Sequence, residues 1–172
     1  IPWRTGASPA QRVIFCTYPK EDELRLRAKL PEFELRTLEA QHGFKTFDLT
    51  DMFATWLSRQ RYAQRYFERP ELIETVLPRY RQFINDEFRQ FVSDSKLAES
   101  DVVAIVGVGM LFGLLKVKDV VDDMAPATPG RLLIFFPGSY ENQNYRLLDA
   151  YDGWNYLAVP ITPDTDLGWS GA

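Results

Sequence analysis

The chain has 172 residues and a mass of 19.9 kDa, and its 45% hydrophobic and 14% aromatic content is material for one sizeable core, which argues against disorder as the overall state. Lys and Arg number 20 against 24 Asp and Glu, so no uniform positive field draws the whole surface to nucleic acid or anionic lipid, although a local basic face stays open. A single cysteine, Cys16, excludes an internal disulfide and fits a reducing compartment, making the cytoplasm the expected location, and no run approaches the roughly 18 apolar residues of a membrane span.

Residues 11–18, with Val13, Ile14 and Phe15 in succession, predict a buried strand closed by Pro19. Residues 21–29 and 31–41 predict two helical stretches, either a short hairpin or one bent helix, stopped by His42-Gly43. Residues 44–49 alternate apolar and polar side chains as a second strand, and Thr50 or Asp51 can cap a helix running through Trp56. From Pro70 onward Leu72, Ile73, Val76, Leu77, Tyr80, Phe83, Ile84, Phe88 and Phe91 keep helical spacing, with Pro78 expected to kink or divide the helix.

Residues 101–108 form the most β-branched run and are expected at the centre of a mostly parallel sheet, covered on both faces. Residues 116–124 read as a helix, 126–130 as a turn, and 131–136 as a fourth strand ending at Pro137-Gly138. Residues 145–148 and 154–160 flank the turn 149–153 and read as a hairpin. The expectation is an α/β fold, with a mostly parallel sheet of five to six strands flanked by helices and an antiparallel hairpin near the C-terminus. No repeat, low-complexity tract or linker divides the chain, so residues 1–172 read as a single domain. Charge is uneven along it: residues 1–98 carry 16 basic against 14 acidic side chains, and residues 99–172 carry 4 against 10.

Three places invite a functional reading. Gly107-Val108-Gly109 with Gly113 follows a buried strand, where glycines let backbone approach a phosphate. The dinucleotide fingerprint needs its third glycine one residue earlier, and a phosphate loop needs Gly-Lys-Ser/Thr, so a purely steric role is the stronger reading. Second, Arg61, Arg65 and Arg69 stand among Arg59, Tyr62, Tyr66 and Phe67, and the series continues to Arg89. Arginine forks match phosphates and aromatics stack on unpaired bases, but Glu68, Glu71, Glu74, Asp86 and Glu87 interleave, as on a salt-bridged solvent face.

The third place is the polar, aromatic stretch 136–146 leaving the fourth strand, together with residues 154–160. Tyr140, Tyr145, Arg146, Trp154 and Tyr156 put more aromatic surface into two short strands than a small core needs, which marks them as candidate partner-binding residues. Alternation sets Trp154, Tyr156 and Ala158 on one face and Asn155, Leu157 and Val159 on the other. Turning Leu157 and Val159 toward the core leaves Trp154 and Tyr156 for a partner, and the alternative is that a helix of the same domain covers them. Glu141, Asp149 and Asp152 read as turn formers or partners of Arg146 rather than as a catalytic carboxylate cluster. No nucleophile and base are paired, and one His with one Cys excludes a zinc set. His42 reads as a helix-end residue and Cys16 as a small core residue, so no catalytic, metal or cofactor residue is assigned.

The run Leu133-Ile134-Phe135-Phe136-Pro137-Gly138-Ser139-Tyr140, followed by Tyr145-Arg146-Leu147-Leu148-Asp149-Ala150 and by Asp152-Gly153-Trp154-Asn155-Tyr156-Leu157-Ala158-Val159-Pro160-Ile161, resembles the BrxB family of bacterial BREX phage-defence systems. Supporting similarity lies in residues 11–15, Phe33-Glu34-Leu35, His42-Gly43, Asp48-Leu49-Thr50-Asp51 and residues 107–113, and covers nearly all of 3–161. Tyr151 stands where the family pattern has arginine. The resemblance implies that an N-terminal segment precedes Ile1. It also implies a non-catalytic accessory or adaptor protein without cofactor, binding larger BREX proteins: an alkaline-phosphatase-like protein, a large ATPase and an adenine DNA methyltransferase. The alternative from the residues themselves is a nucleic-acid-binding accessory using the region 59–89.

Overall fold

A computed structural model describes residues 6–148, 150 and 154–163. Six strands and five α-helices follow one another as β1 (Val13–Tyr18), α1 (Glu23–Glu39), β2 (Phe44–Asp48), α2 (Met52–Ser58), α3 (Ala63–Glu68), α4 (Leu77–Ser95), β3 (Val102–Val106), α5 (Val117–Met124), β4 (Arg131–Glu141), β5 (Asn144–Leu147) and β6 (Val159–Ile161). The main sheet runs β2-β3-β4-β1-β6 with every pairing parallel, and β5 joins β4 antiparallel. This is the α/β architecture expected from the sequence. The 102–106 run is interior, but the middle strand is β4, whose Leu132, Ile134 and Phe136 are all buried.

Chain direction sorts the helices. The step from β1 to β2 passes β4 and β3 in one direction, while β2 to β3 to β4 steps back in the other, so right-handed crossovers place α1 on one face and α2 to α5 on the opposite one. The residues obey this split. Val13, Phe15, Phe47, Val103, Ile105, Leu132, Ile134 and Phe136 pack with Trp56, Tyr80, Ile84, Phe88, Val120 and Val121 in the larger cluster. Their alternates Cys16, Tyr18, Phe44, Ala104, Val106 and Phe135 meet Leu26, Leu30 and Phe33 of α1. In α4, Tyr80, Ile84 and Phe88 recur every four residues and are all but fully buried, so truncating Phe88 to Ala would cost about 3 to 5 kcal/mol.

The helix boundaries agree with the sequence reading at both prolines, and a strand boundary departs from it. Of the two alternatives for residues 21–41 the single helix holds, α1 running 17 residues through Pro31. Pro78 divides the helical run, as expected: a 3-10 turn at Pro70–Val76 precedes α4, and Pro78 sits in its first turn, where a proline lacks only an N–H that would go unpaired anyway. Strand β4 does not stop at Pro137-Gly138. It exchanges partners there: Pro137 pairs with Tyr18 of β1, whereas Gly138 pairs with Leu147 of β5.

The antiparallel hairpin is therefore β4 with β5, closed by Asn142 and Gln143, whose φ values of 50° and 64° give the left-handed pair of a two-residue hairpin turn. The expected 145–148/154–160 hairpin survives only as a bridge between Tyr145 and Trp154, beyond which the chain reaches β1 as the short parallel strand β6. Most of the turn 149–153, including Asp149, Tyr151 and Asp152, lies outside the described residues.

Candidate functional site

The carboxyl edge of a parallel sheet, where connections leave toward opposite faces, is where α/β folds bind ligands. Here the glycine loop after β3 is hemmed in. Gly107 adopts φ +74°, and a Cβ on it would lie 2.6 Å from Thr50 Oγ1 and 2.8 Å from the Thr50 backbone nitrogen. A Cβ on Gly109 would meet Pro137 and Leu148 at 3.4 and 3.8 Å, and the Leu148 N–H donates to the Pro137 carbonyl at 2.8 Å. Residues Val108–Leu111 form a short 3-10 turn with Val108 and Leu111 buried, not the start of a longer helix. The geometry supports the steric reading of Gly107.

Beside this loop lies a polar network that the sequence reading missed. Arg27 donates to Glu23 at 2.8 Å, to Asp48 at 2.9 Å and to Thr50 Oγ1 at 2.6 Å. The Thr50 N–H and hydroxyl both donate to Asp48, and the Tyr18 hydroxyl donates to Glu23. Burial alone would raise the Asp48 pKa, but hydrogen bonds from Arg27 and Thr50 outweigh it and hold the carboxyl below its ordinary value. The Arg27 guanidinium is raised, chiefly by Asp48. With every fork of Arg27 engaged, the network is a clamp tying α1 to the loop after β2. The i,i+4 pair Glu23/Arg27 and the Asp-Leu-Thr turn were its only sequence signals.

The five C-terminal candidates divide. Tyr145 is fully buried, in contact with Phe15 (ring centroids 4.6 Å apart), Tyr140 (4.6 Å), Trp154 (5.5 Å) and Phe136 (5.8 Å). Trp154 and Tyr156 are half-buried against the larger cluster, and the Tyr156 hydroxyl donates to Asp122 of α5 at 3.0 Å. Leu157 is 85% exposed and Val159 37%. The face assignment is thus reversed from the sequence expectation: the Trp154/Tyr156/Ala158 side packs inward and the Leu157/Val159 side faces solvent. The aliphatic face loses because the aromatic one can fill the space over Phe15 beside α5, burying more apolar area. Tyr140 is half-buried, and Arg146 is exposed on the outer side of β5.

The arginine series, by contrast, is brought together. Arg61, Arg65 and Arg69 line one open surface concavity of about 470 Å³ with Tyr62, Gln64 and Glu68, around α3. Arg61 lies over the Tyr62 ring, 5.3 Å from its centroid, and Tyr62 and Phe67 are more than half exposed. Among the described residues none of these three arginines forms an ion pair; Glu68 instead accepts from Gln64. Of the interleaved acids, Glu68 lines the same concavity without pairing with an arginine. Farther on, Arg81 is bound to Asp123 at 2.6 Å, joining α4 to α5.

His42 follows the end of α1, as expected, and Cys16 is partly buried, with burial pushing its thiol up to about 11. Among the described residues no three His, Cys, Asp or Glu side chains converge to hold a metal ion, and no helix is long and apolar enough to cross a membrane.

Comparison with known families matches residues 45–161 to the model described as BREX protein BrxB. The likeness noted at residues 11–43 lies outside that span. No curated protein and no solved structure matches the chain.

Proposed function

Because the chain belongs to the BrxB family, and so to the components of a BREX defence system, we propose that it acts as a non-catalytic accessory or adaptor that binds the larger BREX proteins. The observation that carries this reading is the family match over residues 45–161. The glycine loop after β3 is packed by the chain's own residues, Thr50 against Gly107 and Pro137 and Leu148 beside Gly109, which supports a steric rather than a phosphate-binding role for it. The alkaline-phosphatase-like protein, the large ATPase and the adenine DNA methyltransferase are the partners to test. Tagged chain should retain at least one of them at physiological salt, and retention of none refutes the reading. The pure protein should not hydrolyse ATP, and turnover that vanishes on Gly109→Val would overturn the non-catalytic assignment.

A second reading is favoured by the arginine concavity: a nucleic-acid-binding accessory in which Arg61, Arg65 and Arg69 meet phosphates while Tyr62 and Phe67 offer stacking surface. Sub-micromolar binding of single-stranded DNA or RNA at physiological salt, lost when the three arginines are reversed to glutamate, supports it. The log–log salt slope should then fall by about one per contact removed. Binding no tighter than micromolar leaves the adaptor reading alone.

A further inference from the structure

Helix α1 is apolar on two opposite faces. Leu26, Leu30 and Phe33 turn toward the sheet and pack on the smaller cluster. Leu24, Ala28, Pro31, Leu35 and Leu38 are all exposed, at 82%, 55% and 49% for the three leucines. Their successive spacings of four, three, four and three are the a/d pattern of a helix seam, and at 100° per residue this stripe stands roughly 200° from the inner one. A surface helix needs one apolar stripe to hold it on its own core. Scattered exposed leucines are ordinary, but an unbroken seam along four turns is not.

The charges beside the outer stripe identify what fits it. Arg25 and Arg27 flank its N-terminal half, and Glu32, Glu34 and Glu39 its C-terminal half. A second α1 laid parallel would bring Glu34 beside Glu39 of its partner, while Arg27, the one cation facing Glu32, is already held by Glu23 and Asp48. Laid antiparallel, it sets each basic half against an acidic one. With Leu24 facing Leu35 and Ala28 facing Pro31, Arg25 of one copy comes beside Glu32 of the other, and the two-fold axis repeats the pair. The small residues Ala28 and Pro31 at the centre allow close approach. Arg27 is held by Glu23 and Asp48, so the exchangeable pair is Arg25 with Glu32. Among the described residues these two make exposed contacts within the chain, Arg25 to Asp22 at 3.9 Å and Glu32 to Lys29 at 2.8 Å, of the kind that contribute little.

We propose that the outer face of α1 is a self-association surface, on which two copies of this chain pair helix against helix in antiparallel orientation. A 17-residue helix is about 25 Å long and offers less than the roughly 800 Å² per partner of a standard interface, so the dimer should form in the micromolar range. The proposal is independent of which BREX protein the chain binds.

Sedimentation velocity on the whole chain from about 1 to about 200 µM tests it. The native chain should pass from monomer to dimer over that range, and Leu35→Glu, at an exposed position, should remain monomeric with an unchanged thermal melt. Arg25→Glu and Glu32→Arg should each weaken the dimer at least about tenfold, and mixing the two should restore it, because the mixed pair again opposes unlike charges at both sites. A native chain that stays monomeric throughout overturns the proposal. Loss of a co-purified BREX protein on Leu35→Glu, with no dimer at any concentration, assigns the stripe to a foreign helix and overturns it equally. A dimer indifferent to Leu35→Glu, or charge variants that do not rescue each other, overturns the antiparallel pairing of α1.

Discussion

Tyr145 offers the sharpest test of where the C-terminal aromatics belong. Its ring touches Phe15, Phe136, Tyr140 and Trp154 and is fully buried, and its hydroxyl meets no hydrogen-bond partner among the described residues. Burial, with a smaller contribution from Tyr140, holds the phenol above its ordinary pKa, so it stays neutral across the working range. A buried, unbonded hydroxyl carries a desolvation penalty of about 1 to 3 kcal/mol, part of which the surroundings recover by relaxing. Tyr145→Phe should therefore stabilise the protein by about 1 kcal/mol, seen for a chain of this length as a rise of roughly 2 to 4 °C in Tm. Tyr145→Ala removes the whole ring and should cost about 3 to 5 kcal/mol. Urea titrations of both variants, compared at equal slope, give the two numbers. Destabilisation of the Phe variant by more than about 1 kcal/mol would mean that the hydroxyl is bonded. An Ala variant that melts like the native chain but loses a BREX partner would return this hairpin to the surface as an interface.

Three further outcomes follow from the same geometry. Gly107→Ala places a methyl against Thr50 in a left-handed backbone and should cost about 2 to 4 kcal/mol in a urea melt, whereas Gly113→Ala, with nothing within 4 Å, should cost only the backbone strain of about 1 to 2 kcal/mol. The Asp48 carboxyl is held below its ordinary 3.8, so its contribution is fully present above that pH and is lost as pH falls through the lower folded value. Asp48→Asn should thus be less stable than the native chain at pH 7, and the two curves should converge as pH falls through the lowered folded value of the carboxyl; a constant offset would remove Asp48 ionisation from the clamp. Leu157→Glu, at an 85% exposed site, should shift stability by no more than about 0.5 kcal/mol, and a loss several times larger would restore the sequence-based face assignment.

The parallel core was readable because its strands are short apolar runs bounded by proline and glycine, and such runs have few other stable uses. What escaped depended on pairing rather than on composition. Pro137-Gly138 looked like a stop because both residues weaken a strand. Yet Pro137 pairs where β1 ends and Gly138 pairs where β5 begins, and a Cβ at Gly138 would lie 2.0 Å from the Arg146 carbonyl oxygen. The face of 154–159 was misjudged because alternation fixes which residues share a side, not which side meets Phe15 and α5. At the arginine series, sequence gave the cations and the acids together. Only the folded arrangement showed that Arg61, Arg65 and Arg69 share a concavity whose carboxylate, Glu68, accepts from Gln64 instead of pairing with them. The outer stripe of α1 was hidden by its overlap with the inner one, since two stripes on one helix read together as a strongly charged segment with little net amphipathicity.

The sheet ends at β2 on one side and β6 on the other. Such margins are templates for strand addition, the route by which soluble proteins polymerise into fibrils or capture extended peptides. Both are blunted. β6 is three residues long with Pro160, which has no N–H to donate, at its middle; β2 carries exposed Lys45 and Thr46, and a lysine at a margin resists a second strand. Strand addition is thereby discouraged at both margins, which directs contacts with other molecules to the side chains of the helices and the hairpin.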